Sequence, residues 1–295
     1  MCEIDDHQTQ SLSFQEHNPD ASNSIVFLHG ILASAHEWNS VVPHLTQYHL
    51  LVADLPQHGA EGSESSKIPY SHATAVEYIA QLIREHAKEG TAHIVGISLG
   101  GCLALSLAAK YPELCLSLFA TGCAHRFDQG EGGTNLPAWL ICAFLSAANA
   151  LGAAFSRAIP LSWSLKLCGW QDTSAVTEEL LQDIQAATAR GISGIIIRGL
   201  MSCSGPEVWK KVSESGVRTC VLAGGKLDPI EMTREQGMTL EKASPGNNHK
   251  GNNHNKAYVV RDTMRMWNLS HPALFAEGVE AWVAEKDMPV GYEEI

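Results

Sequence analysis

Gly96-Ile97-Ser98-Leu99-Gly100 sets a serine between two glycines where a strand gives way to a helix. Ahead of it, Ala92-His93-Ile94-Val95 reads as a short buried strand. Behind it, residues 99–110 are mostly small and apolar and end at Tyr111-Pro112, as a helix does before proline. In that context the motif predicts a strained turn that lifts the serine hydroxyl to the helix N-terminus. The helix end also supplies unpaired N–H groups and a positive dipole, both suited to a developing oxyanion. The same residues are compatible with a plain tight turn and a capping serine. The flanking strand and helix favour Ser98 as a nucleophile.

Three further stretches fall into step with it. Ser24-Ile25-Val26-Phe27-Leu28 is a strand running into His29-Gly30-Ile31, and His49-Leu50-Leu51-Val52-Ala53 is another, running into Asp54-Leu55-Pro56-Gln57-His58-Gly59. Between them, residues 35–47 carry Trp38, Val41, Val42 and Leu45 at helical spacing. A helix over 73–88 and a strand over 114–120 complete the N-terminal half. Strands alternating with helices predict an α/β protein with a mostly parallel, doubly wound sheet.

With those motifs in order, the chain resembles the α/β-hydrolase superfamily. His29-Gly30 resembles its oxyanion-loop dipeptide. Asp54 to Gly59 resembles its D-x-P-G-H-G turn, with Gln57 where glycine is usual, and Gly96 to Gly101 resembles its nucleophile elbow. The resemblance implies a Ser-Asp-His triad in that chain order and an oxyanion hole from the N–H groups of Ile31 and Leu99. The strand over 217–223 leads into Gly224-Gly225-Lys226-Leu227-Asp228-Pro229, so Asp228 is the expected acid. An Asp-Pro turn former is the plain alternative for Asp228, and Glu231 is the fallback acid.

The base is expected beyond the last strand, over 257–260, and His271 is the one histidine there. It precedes Pro272, and Leu274, Phe275, Val279 and Trp282 follow at helical spacing. The strand-to-histidine loop, 261–270, is longer than the family's usual one. His249 and His254 lie in a polar near-duplication that reads as a loop rather than a metal site.

Residues 123–215 read as an inserted helical cap, leaving 1–122 and 216–295 as the core. Its stretch 136–156 has no charged residue and is long enough to span a membrane. Its Ala, Ser, Asn149 and Gly152, with Pro137 at its start, favour a lid over an apolar pocket instead of a stable insertion. A second subunit, giving a homodimer, is another cover for it. Trp139 and Phe144 are the expected substrate contacts there, with His29 below, and Gly130 to Gly133 the hinge.

The chain has 295 residues and a net charge of −12, with no basic cluster, which argues against nucleic-acid binding. Eight cysteines lie scattered without C-x-x-C pairs, and the N-terminus has no signal-peptide core, so a reducing cytoplasmic setting is expected. No Rossmann fingerprint, P-loop or zincin motif is present, so no cofactor and no metal are implied. The expected activity is hydrolysis of a small hydrophobic ester, lactone or thioester through an acyl-enzyme. A C–C bond hydrolase or non-hydrolytic polyketide-type cyclase on the same triad is one alternative, and a ligand receptor on the same fold is another.

Overall fold

A computed structural model of the protein describes residues 10–123, 176–191, 206–226, 228–242 and 255–295. Eight strands form one sheet: β1 (Phe14–His17), β2 (Ser24–Leu28), β3 (His49–Ala53), β4 (Ala92–Ile97), β5 (Cys115–Thr121), β6 (Arg218–Gly224), β7 (Lys256–Val260) and β8 (Tyr292–Glu294). Their order is β1-β3-β2-β4-β5-β6-β7-β8. The inner six are parallel, and β1 and β8 pair antiparallel at the edges.

All six inner strands stand where the apolar runs predict them. Both faces of these strands are covered, so their residues are mostly apolar; β2 and β3 are buried at every position, and their polar Ser24 and His49 hydrogen-bond each other. The face bearing Val26, Leu28, Ile94, Leu118 and Val221 packs on α2 (His72–His86; α1 is the single turn Glu64–Lys67) and α3 (Leu99–Lys110). The face bearing Phe27, Val52, Val95, Phe119 and Leu222 packs on Trp38, Trp267 and the C-terminal helix, whose Phe275, Val279 and Trp282 are buried.

Two sequence expectations need correction. Residues 35–47 form two short 3-10 turns, Ala35–Trp38 and Val42–His44, and not a helix. Pro43 lacks an N–H and interrupts the ladder, yet Trp38, Val41 and Leu45 are still fully buried. The apolar spacing reports burial there, not helix. Next, α5 (Pro206–Ser215), after α4 (Glu178–Ala189) in the chain, places Trp209 and Val212 in the core cluster with α3. The C-terminal end of residues 123–215 therefore belongs to the layered core. Residues 124–175 and 192–205, with the uncharged stretch and its hinge, lie outside the described residues.

From the inserted segment, α4 reaches the carboxyl ends of the strands. Its Leu180 and Ile184 pack with Ala33 and Leu269. Asp183 Oδ2 pairs with His36 Nδ1 at 2.8 Å, and Arg190 donates to the carbonyls of Gln57 and Gly59. Among the described residues no helix is long and apolar enough to cross a membrane.

Candidate active site

Ser98 sits at the tip of the β4–α3 turn with φ 53 and ψ −111, a strained conformation for a residue with a side chain. The turn closes because its neighbours are glycine. A Cβ on Gly96 would meet the backbone of Gly100 at 2.5 Å, and a Cβ on Gly100 would meet Leu28 O at 2.1 Å. Ser98 N–H donates to Thr121 O, and Gly100 N–H donates to His29 O. These bonds fix the elbow to the strands on either side. Among the described residues the N–H groups of Ile31 and Leu99 have no hydrogen-bond partner, as donors awaiting an oxyanion require.

His29 is not on the pocket surface, contrary to its expected substrate contact. It is fully buried: its Nε2 accepts from Leu55 N–H at 3.0 Å, so its Nδ1–H donates to Gly30 O at 2.8 Å. Burial, with His58 beside it, holds its pKa well below the ordinary value. His58, 4.9 Å away ring to ring, is pushed down to about 4 by burial and accepts from Leu32 N–H. The two neutral rings hold the loop that carries Ile31. Gln57, at the position where the resemblance expects glycine, has φ 62, so this turn carries the strain that glycine would relieve.

Glu37 was not anticipated from the sequence. It is fully buried behind the loop that carries Ile31, where its Oε2 accepts from Gly30 N–H at 2.7 Å and its Oε1 accepts from Asn268 Nδ2 at 3.4 Å. Burial pushes its carboxyl up to about 7. A carboxyl raised from 4.5 on folding binds its proton more tightly in the folded state. Its burial is therefore free of this penalty below about pH 4.5, and stability declines as pH rises through about 7. Glu37→Gln should leave stability at pH 4 nearly unchanged and raise it at pH 8 by about 3 kcal/mol. Denaturant titrations at the two pH values check this, and identical pH dependence in both proteins would refute it.

Asp228 lies where a turn after β6 places it, with its side chain 1% exposed. Its Oδ2 accepts from Gly224 N–H at 2.9 Å and its Oδ1 accepts from Arg265 Nε at 2.7 Å. The loop between β7 and α7 (Trp267–Ser270; α6 is Ile230–Lys242) is stitched to this turn, since Lys226 N–H donates to Thr263 O. The expected base is elsewhere. His271 caps α8 (Pro272–Val283), is exposed, and its Nδ1 is hydrogen-bonded to Ser270 Oγ at 2.8 Å. It hydrogen-bonds neither Asp228 nor Ser98. The structure thus brings Asp228 to an arginine five residues beyond β7, not to the histidine at 271. Only the bare position of Arg265 in that loop could have signalled it.

Of the remaining expected residues, Glu231 pairs with Arg234 at 2.6 Å and lines, with Asp228, a cleft of about 510 Å3. Trp139, Phe144, His249 and His254 lie outside the described residues. Among the described residues no group of three or more His, Cys, Asp or Glu side chains is arranged to hold a metal.

The family model described as the alpha/beta hydrolase fold matches residues 23–155, which contain the oxyanion loop and the elbow. This chain is an α/β-hydrolase-fold protein. An AB hydrolase superfamily protein of Gibberella zeae is 28% identical over 97% of this chain and 88% of its own length. A pimeloyl-[acyl-carrier protein] methyl ester esterase of Neisseria meningitidis is 29% identical over 56% of this chain and 61% of its own. Among solved structures, a thermophilic esterase from Thermogutta terrifontis superposes with a TM-score of 0.67 at 17% identity, covering 93% of each chain. That likeness shows the fold, and the esterase names belong to those proteins.

Proposed function

We propose that the protein is a serine hydrolase that cleaves a hydrophobic ester, lactone or thioester through an acyl-enzyme on Ser98. The observation that carries this reading is the strained Ser98 with two amides, Ile31 and Leu99, that have no partner among the described residues. Ser98 Oγ forms a bond to the substrate carbonyl while its proton passes to a base. The carbonyl oxygen takes up the electron pair and the two amides bind it. Collapse breaks the bond to the leaving group, which takes the proton, and water then releases the acid. Relatives named as esterases support the reaction class.

His271 is the base in this proposal, on chain order, and its use requires the ring to leave Ser270 Oγ. His271→Ala should lower kcat for a p-nitrophenyl ester by about 10^3-fold or more. Turnover at the wild-type rate would remove His271 from the mechanism.

A second reading is favoured by one observation, the pairing of Asp228 with Arg265 where a histidine is needed. On that reading the site captures a ligand without hydrolysing it, as a receptor or a non-hydrolytic cyclase would. Turnover of generic acyl esters that depends on Ser98 supports hydrolysis, and binding without turnover supports the second reading.

A further inference from the structure

Arg265 is the one cation that the described residues bring onto the expected acid, and sheet order says where it stands. Ser98 follows β4, which lies between β2 and β5. The oxyanion donor Ile31 follows β2, on one side of Ser98. Asp228 follows β6, on the other side, and Arg265 reaches back over the end of β5. Its Cγ lies 3.6 Å, and its Nε 3.7 Å, from where a Cβ on Gly122 would stand. Gly122 follows Thr121, which is in register with Ile97, the residue before Ser98. Neighbouring strands are about 4.8 Å apart. Arg265 therefore stands at the end of β5, the strand next to the one that leads into Ser98, on the side away from Ile31.

Its guanidinium is only partly used. Nε holds Asp228, the side chain is 29% exposed, and among the described residues neither Nη nitrogen has a hydrogen-bond partner. Asp228 is buried and accepts from both Gly224 and Arg265, so it anchors the arginine and sets its plane. The Nη edge of such a fork matches a carboxylate in geometry and charge. At long range the acidic chain, net −12, disfavours anions, and Glu231 and Glu235 line the cleft beyond Asp228. These charges are screened over about 10 Å at 0.1 M salt, so they do not cancel a fixed cation at the end of β5.

We infer that Arg265 binds a carboxylate on the substrate, and that the site takes acyl compounds bearing a second, anionic group a few bonds from the reacting carbonyl. This rests on the acyl-transfer reading above and names its substrate class. The carbonyl oxygen points toward β2, and the carboxylate toward β5 and β6.

The test pairs substrates of equal carbon chain length that differ in terminal charge: the p-nitrophenyl half-ester of glutarate and p-nitrophenyl valerate. The wild type should prefer the half-ester in kcat/KM. Arg265→Gln should lower that preference by ~10- to 100-fold, chiefly through KM, and Arg265→Lys should restore part of it. Thermal unfolding of each variant checks its fold. Equal loss on both esters would mean that Arg265 only braces Asp228, and an unchanged preference would mean that it binds nothing; either result overturns the inference. Binding of 5-oxohexanoate against hexan-2-one, by calorimetry, reads the anion site without turnover. If neither ester is cleaved, the hydrolase reading fails. The anion site then stands only if 5-oxohexanoate binds the wild type at least tenfold more tightly than it binds Arg265→Gln.

Discussion

Ser98→Ala will reduce turnover of a p-nitrophenyl ester by about 10^3- to 10^6-fold without unfolding the protein. In the proposed reaction the hydroxyl supplies the attacking oxygen, and no hydrogen bond of the fold depends on it among the described residues. What survives is binding and the oxyanion donors of Ile31 and Leu99, which in comparable sites retain modest catalysis over water. Alanine also keeps the strained φ of 53, so the elbow stays under the same constraint. Initial-rate assays with a thermal melt on the same sample measure both effects. Activity within tenfold of wild type would place the nucleophile elsewhere.

Gly100→Ala will strongly destabilise the protein. The new Cβ would lie 2.1 Å from Leu28 O, 2.5 Å from Leu28 C and 2.8 Å from His29 O. All three are backbone atoms of the sheet and the oxyanion loop, so no side chain can swing aside. Relief requires α3 to move off β2, which disrupts the buried cluster around Leu99, Leu103 and Leu28. The expected loss is about 4 kcal/mol or more, a large part of a domain's total stability. Gly62→Ala is the contrast: its Cβ meets nothing within 4 Å, so its cost is the left-handed φ of 83 alone, about 1 kcal/mol. Urea denaturation of both variants measures the difference, and a Gly100→Ala protein within 1 kcal/mol of wild type would contradict it.

What could be read from the sequence follows from how local each signal is. The elbow was legible because its strand, glycines, serine and helix are contiguous, and α3 spans Leu99–Lys110 as predicted. The inner strands were legible because burial on both faces demands unbroken apolar runs. The edge strands β1 and β8 were missed, since Gln15, Glu16, Glu293 and Glu294 satisfy an edge facing water and carry no apolar period. Asp228 was placed by its distance past β6, a local signal.

Its partner was not, because pairing across 37 residues depends on how the β7–α7 loop folds back on the β6 turn. A histidine suits a base by type alone, so residue type points to His271 and passes over Arg265. Glu37 was missed for a related reason. An acid beside Trp38 in an apolar stretch reads as the exposed side of a helix, yet the segment is a 3-10 turn that buries it against Gly30.

Peptide mapping by mass spectrometry after treatment with a fluorophosphonate tests the central claim most directly. A nucleophile raised by the elbow, with the phosphoryl oxygen held by the amides of Ile31 and Leu99, will yield one covalent adduct on Ser98. Ser98→Ala will yield none. An adduct on another residue, or a wild-type protein left unmodified under conditions that label a control serine esterase, would contradict it.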